Sequence, residues 1–193
     1  LTHAGQIVAV LLASGLSSRF GSDDKLLAEL HGQALVLHAA DRVIELRPLR
    51  RIAVCGTSVG ELLKPLGFEI VLNEQAEQGM STSLAYGIET AEAGEGEAAL
   101  VVLGDMPFVT VQHLRHLLAR WDAEETPVIG SVTKGVAMPP ALFARSRFAA
   151  LRANTGDHGA RGLLATAKLI EAPPEQLADV DTIDDLLRLR ALR

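Results

Sequence analysis

An α/β protein built on a parallel sheet is the fold class predicted by three observations. Short, continuous apolar runs rich in β-branched residues recur along the chain, amphipathic helical patterns separate them, and each run closes on small or acidic residues. Ile7-Val8-Ala9-Val10-Leu11-Leu12 is the first run and closes on Ala13-Ser14-Gly15. Arg51 to Gly56, Phe68 to Asn73 and Ala98 to Gly104 repeat the type, each predicted to be buried on both faces. Between them, Leu35 to Leu46 and Ser81 to Ala91 carry apolar residues at i, i+3, i+4 spacing. Strands alternating with helices predict right-handed parallel βαβ units.

Past Asp105-Met106-Pro107, Thr110 is a predicted N-cap for a helix burying Leu114, Leu117, Leu118 and Trp121. Pro127 to Val132 then predicts a strand, Met138-Pro139-Pro140 a turn, and Ala160 to Leu169 a helix. Thr182-Ile183-Asp184-Asp185 resembles a capping box opening a last helix through Leu192. Glu92 to Glu97 predicts a solvated loop.

The chain has 193 residues, 48% of them hydrophobic but only 4% aromatic, so one domain with an aliphatic core is expected. A net charge of −6 opposes binding to nucleic acid or to an anionic membrane, and any anionic ligand must be held locally. The lone Cys55 predicts a buried strand-end thiol, without disulfide or thiolate metal site, and fits a cytoplasmic protein. No apolar run reaches the length of a membrane span.

In an open α/β sheet, ligands bind beyond the carboxyl ends of the strands, and three segments fall there. The first, Leu12-Ala13-Ser14-Gly15 through Arg19 to Lys25, combines small residues that admit close backbone approach to an anion with two cations, and reads as a phosphate cradle. The same residues also suit a plain turn with solvated cations. It is neither a Walker loop nor a G-x-G-x-x-G fingerprint, because both patterns are missing. In the second, Asp105 follows a wholly apolar strand, where a carboxylate can hold a hard divalent cation or merely cap the next turn. In the third, extended Asp179-Val180-Asp181 turns both carboxylates to one face, for cation binding, helix capping, or both.

Together, Leu12-Ala13-Ser14-Gly15, Arg19-Phe20-Gly21 and Lys25, then Leu103-Gly104-Asp105-Met106-Pro107, resemble the MobA-like nucleotidyltransferase family, and more closely its molybdenum cofactor cytidylyltransferase branch. Asn73 to Leu84, Gly156 to Arg161 and Asp179 to Leu186 extend the resemblance in order along nearly the whole chain. It implies a three-layer α/β/α, Rossmann-like nucleotide-diphospho-sugar transferase fold with a mostly parallel sheet and an antiparallel strand in its second half. It also implies one domain over 1–193, with a nucleotide-binding half at about 1–110 and an acceptor-binding half at about 111–193.

The implied reaction transfers CMP from CTP to the phosphate of molybdopterin and releases pyrophosphate. In it Arg19, Lys25 and Asp105 are catalytic. Leu12, Ala13, Ser14, Gly15, Asn73, Gly79, Ser81, Ser83 and Gly104 join them in holding the nucleotide. Asp105 and Asp181 would bind Mg²⁺ or Mn²⁺, Asp157, His158 and Arg161 would face the acceptor, and a molybdoenzyme apoprotein is a candidate recipient. His38 and His116 read as structural. Guanylyltransferases of the family usually carry two adjacent glycines where this chain has Ala13-Ser14-Gly15, which favours the smaller base. One departure concerns the acceptor: Val136-Ala137-Met138-Pro139-Pro140 stands where the cytidylyltransferase branch usually has a Gly-His-Pro turn. The alternatives are a guanylyltransferase, another sugar- or alcohol-phosphate nucleotidyltransferase, or a non-catalytic module that delivers the cofactor.

Overall fold

In chain order the elements are β1 (Ile7–Ala13), a short hairpin β2 (Glu29–Leu30) and β3 (Gln33–Ala34), α1 (Leu35–Leu46), β4 (Arg50–Cys55), α2 (Thr57–Leu63), β5 (Glu69–Leu72), α3 (Met80–Glu92), β6 (Ala98–Leu103) and α4 (Val111–Ala119). β7 (Val128–Thr133), β8 (Val136–Ala144), α5 (Phe148–Ala153), α6 (Arg161–Leu164), β9 (Lys168–Glu171) and α7 (Ile183–Arg190) complete them. This computed structural model describes residues 3–15, 20, 24–153 and 160–191.

Seven strands form one sheet in the order β5-β4-β1-β6-β8-β7-β9. β1 pairs in parallel with β4 and β6, β4 with β5, and β7 with β9, while β8 runs antiparallel to both of its neighbours. β1 and β6, at the centre, are wholly buried, as their unbroken apolar runs require. β5 departs from the expectation of burial on both faces. It is an edge strand in which Glu69 and Leu72 are exposed.

Strand alternation fixes the layers. Val10 and Val54 point to one face, where a Cβ added at Gly87 of α3 would fall 2.5 Å from Val10 Cγ1 and 3.1 Å from Val54 Cγ2. Cys55 and Ile70 point to the other face, where a Cβ at Gly60 of α2 would meet them. Helices therefore cover both faces, α1, α2 and α4 on one and α3 with α5 on the opposite one. Gly87→Ala gains about 1 kcal/mol of helix propensity but drives a methyl into a packed core, which costs about 1–3 kcal/mol. A net loss of about 1 kcal/mol in urea unfolding is the expected result for this variant.

Two sequence expectations fail in the second half. Met138-Pro139-Pro140 is not a turn but part of β8, at an irregularity where Gly130 faces Ala141 and Ser131 already faces Met138. Consecutive prolines have no N–H for the ladder, so the strand bulges there and stays paired on either side. Ala160 to Leu169 is not one helix: α6 covers only Arg161–Leu164, and Lys168 onward joins the sheet edge as β9. The Glu92 to Glu97 loop is held by Arg145, whose guanidinium donates to the carbonyls of Glu92, Gly94 and Gly96.

Cys55 is fully buried at the end of β4, and burial, with a smaller contribution from Asp24, pushes its thiol up to about 11. The native thiol is therefore expected to resist iodoacetamide at pH 8 and to react once the chain is unfolded in urea, a contrast that mass spectrometry reads directly.

Candidate active site

The carboxyl ends of β1, β4, β5 and β6 point the same way and gather the residues that follow each strand. Leu12 and Ala13 close β1 in the core, and Ser14 and Gly15 lead out of it. Gly104 continues the β6 pairing by donating its N–H to the Leu12 carbonyl at 2.9 Å. A Cβ there would lie 3.2 Å from Ala13 Cβ and from Val36 Cγ2, so a side chain at 104 would press β6 away from β1.

Lys25 opens a 3₁₀ turn capped by Asp24, whose carboxylate accepts from the Leu26 N–H at 3.0 Å. With Leu26 buried beneath it, the turn directs the Lys25 ammonium inward, where its side chain is only 7% exposed. There it donates to Asp105 Oδ2 at 2.8 Å, to the Val180 carbonyl at 2.9 Å and to Asp181 Oδ1 at 3.3 Å. Burial by itself lowers the lysine pKa, but Asp105 and then Asp181 outweigh it, so Lys25 titrates above its ordinary range and stays charged.

The extended segment before α7 is tied to the same point. Val180 is buried, and its N–H donates to the Asp105 carbonyl at 3.0 Å. Asp181 is half exposed. Partial removal from water, and Asp181 beside it, hold Asp179 above the usual carboxylate range, as expected for two carboxylates turned to one face. The predicted capping box is present: Thr182 accepts from the Asp185 N–H at 3.1 Å, and Asp185 accepts from the Thr182 N–H at 2.9 Å. Capping is thus done by Thr182 and Asp185, which leaves the Asp181 carboxylate to Lys25.

A second cluster joins β1, β5 and α3. The Ser14 and Ser83 hydroxyls lie 2.5 Å apart. Asn73, buried after β5, donates to Ser83 Oγ at 2.8 Å and to Thr82 Oγ1 at 3.1 Å, and accepts from the Gln75 N–H at 2.8 Å. Gly79 precedes α3 with φ of 101°, in the region that glycine alone enters freely, and Ser81 is buried on that helix.

Arg19, Asp157 and His158 lie outside the described residues, as does the side chain of Arg161, whose backbone opens α6. Two contributors to these clusters, and one buried polar group away from them, carry no motif of their own. Thr82, between two serines that were picked out, bridges Asn73 to the Gly79 carbonyl. The Val180 carbonyl is a backbone group that no motif marks. His113 lies beneath β7 and β8, its Nε2 at 2.7 Å from Ser131 Oγ, while the Ser131 hydroxyl donates to the Pro140 carbonyl at 2.6 Å. A hydroxyl has one proton and a carbonyl can only accept, so Nε2 carries the proton in the His113 bond. Only the burial of His113 on the inner face of α4 could have marked it in advance.

A mostly parallel sheet here gathers a lysine and two carboxylates beyond its strand ends, and the domain is that of a nucleotidyltransferase. The chain belongs to the MobA-like NTP transferase family, whose domain it matches over residues 9–173. A relative from Pyrococcus horikoshii, named a probable molybdenum cofactor guanylyltransferase, is 30% identical over 61% of this chain and 57% of its own length. This chain thus spans a little over half of that relative. The purine catabolism protein PucB of Bacillus subtilis is 26% identical over 93% of this chain and 91% of its own. Among solved structures, the Rv0371c protein of Mycobacterium tuberculosis superposes with a TM-score of 0.80 at 23% identity, over 97% of this chain and 98% of that one. The same protein has also been solved in complex with manganese, with a TM-score of 0.74 at 22% identity, over 97% of this chain and 100% of that one. No helix of the described residues is long and apolar enough to cross a membrane.

Proposed function

We propose that this protein transfers CMP from CTP to the phosphate of molybdopterin, releasing pyrophosphate, with Mg²⁺ or Mn²⁺ as the divalent cation. The convergence of Lys25, Asp105 and Asp181 on one point at the strand ends carries the reading. Two carboxylates and a nearby backbone carbonyl are hard oxygen donors of the kind Mg²⁺ accepts when phosphates and waters complete its shell. Asp105 and Asp181 would hold the cation, which when bound neutralises charge developing on the triphosphate. The Rv0371c manganese complex supports a divalent ion in this fold.

The chain's own groups supply positioning and charge. In this reading Leu12 to Gly15 and Arg19 wrap the triphosphate, and Lys25 offsets its charge. Asn73, Gly79, Ser81 and Ser83 shape the base and ribose side, and Ser14, hydrogen-bonded to Ser83, takes space that a glycine would leave to a larger base, which favours a pyrimidine. The attacking phosphate is already ionised, so orientation in line with the leaving pyrophosphate takes the place of a general base. Residues 1–110 serve the nucleotide and 111–193 the acceptor. The β8 register, with Val101 opposite Ala141, carries Val136 to Met138 past the end of β6, where Asp157, His158 and Arg161 would join them. A molybdoenzyme apoprotein would then receive the product.

Incubation with molybdopterin, Mg²⁺ and each of CTP, GTP, ATP and UTP, with pyrophosphate as readout, tests the proposal. Release with CTP well above the others is the expected result. Preference for GTP would establish the second reading, a guanylyltransferase, which the name of the Pyrococcus relative favours. Cofactor binding without pyrophosphate from any triphosphate would identify a delivery module.

A further inference from the structure

We propose that Lys25 is an internal counter-cation that keeps a divalent ion out of the Asp105–Asp181 pair until a triphosphate draws its ammonium away. The inference rests on the reading of those two carboxylates as cation ligands. Its ground is positional: Asp105 Oδ2 and Asp181 Oδ1 both accept from Nζ, at 2.8 and 3.3 Å, so the ammonium occupies the space between the two carboxylates that would hold the ion. A Mg²⁺ ion lies about 2 Å from its oxygen ligands, so an ion bridging that pair of atoms falls within the space of the ammonium. Two cations cannot share it.

The ammonium is also well held. Among the described residues the two carboxylates and the Val180 carbonyl accept from it, and the side chain is largely buried. Displacement by a lone hydrated ion must break these contacts and leave the ammonium to find new partners. A triphosphate bound next to Lys25 supplies those partners. Asp24 caps the 3₁₀ turn and Leu26 is buried, so the backbone at Lys25 is fixed and the flexible four-carbon stem can swing alone. Divalent-ion binding then depends on the triphosphate, an order of entry built into one side chain.

Calorimetric titration of Mn²⁺ into the full chain, without nucleotide, compares the parent with Lys25→Gln and Lys25→Met. Both variants are expected to bind Mn²⁺ at least tenfold more tightly than the parent. Equal or weaker binding by the variants overturns the proposal and leaves the carboxylates standing as ligands, whereas absence of Mn²⁺ binding by all three proteins overturns both. A second measurement uses only the parent protein, so it stands even where a variant does not fold. With ¹⁵N-lysine labelling, the protected Lys25 ammonium resonance is expected to persist in Mg²⁺ alone and to be lost when inorganic tripolyphosphate is added with Mg²⁺, a probe that carries no base. A resonance that disappears in Mg²⁺ alone, or survives saturation with both, overturns the proposal.

Discussion

Asp105→Ala is expected to lower pyrophosphate release by about three orders of magnitude and to destabilise the fold by about 3 kcal/mol. The two effects have different causes. Activity falls because, on the proposed function, the change removes a cation ligand at the carboxyl end of β6. Stability falls because the Lys25 ammonium loses its shortest contact, 2.8 Å, at a site where its side chain is only 7% exposed. Breaking a buried pair from one side costs about 3–5 kcal/mol, and the lower end applies because Asp105 is itself 22% exposed and Asp181 remains.

Asp105→Asn separates the causes, since the amide oxygen still accepts from the ammonium. It should recover much of the stability and little of the turnover. Lys25 titrates above its ordinary range in the folded protein, so its stabilising contribution is complete below the unfolded lysine pKa and fades as pH rises through the folded value. The gap between parent and Asp105→Ala in urea should therefore be full at pH 7 and shrink in strong alkali. Undiminished turnover in both variants would sink the cation role of Asp105.

Ser131→Val is the second large effect, a loss of about 4 kcal/mol. The hydroxyl at 131 is fully buried and serves two groups, accepting from His113 Nε2–H and donating to the Pro140 carbonyl. Valine satisfies neither, and each buried polar group left unpaired costs about 1–3 kcal/mol. For a chain of this length the midpoint of thermal unfolding should drop by about 10 °C. Ser131→Thr keeps the hydroxyl and should retain more of it.

Burial, with a smaller push from His116, lowers the His113 pKa, so the native ring is neutral where the unfolded one takes up a proton. Stability from this group is present above the unfolded histidine pKa, about 6.5, and is lost as pH falls below it. His113→Gln, which can still donate to Ser131, should show a shallower decline between pH 6.5 and 5 than the parent. An unchanged slope would remove His113 from the account.

Local pattern carried the central elements to within a residue or two. Leu35 to Leu46 is α1 as read, because its apolar spacing, burying Leu35, Val36, Ala39, Ala40, Val43 and Leu46, is itself the instruction for a helix. The failures came where a segment's state depends on a distant partner. Pro139-Pro140 carries the signature of a turn, yet it lies in a strand because β6 and β7 supply pairing on both sides and Ser131 takes up a carbonyl. The segment 160–169 has helical composition, yet Lys168 and Leu169 at its end lie beside β7 because that sheet edge is open to them.

The candidate site divides in the same way. Sequence alone marked Lys25 as the cation closing a small-residue loop, Asp105 as a carboxylate that must leave the core after an apolar strand, and Asp181 by its alternation with Asp179 in an extended segment. It determined the α/β class, the parallel centre of the sheet and the strand ends at which chemistry can occur, since hydrophobic period and strand length are local properties. Only the tertiary structure decided that Lys25 meets carboxylates 80 and 156 residues away, and that Thr182 and Asp185 take the capping while Asp181 turns to the lysine. Buried charges must find partners, and which of several acidic residues comes within 3.3 Å of one ammonium is set by how β1, β6 and the segment before α7 pack, a geometry that no single stretch of chain contains.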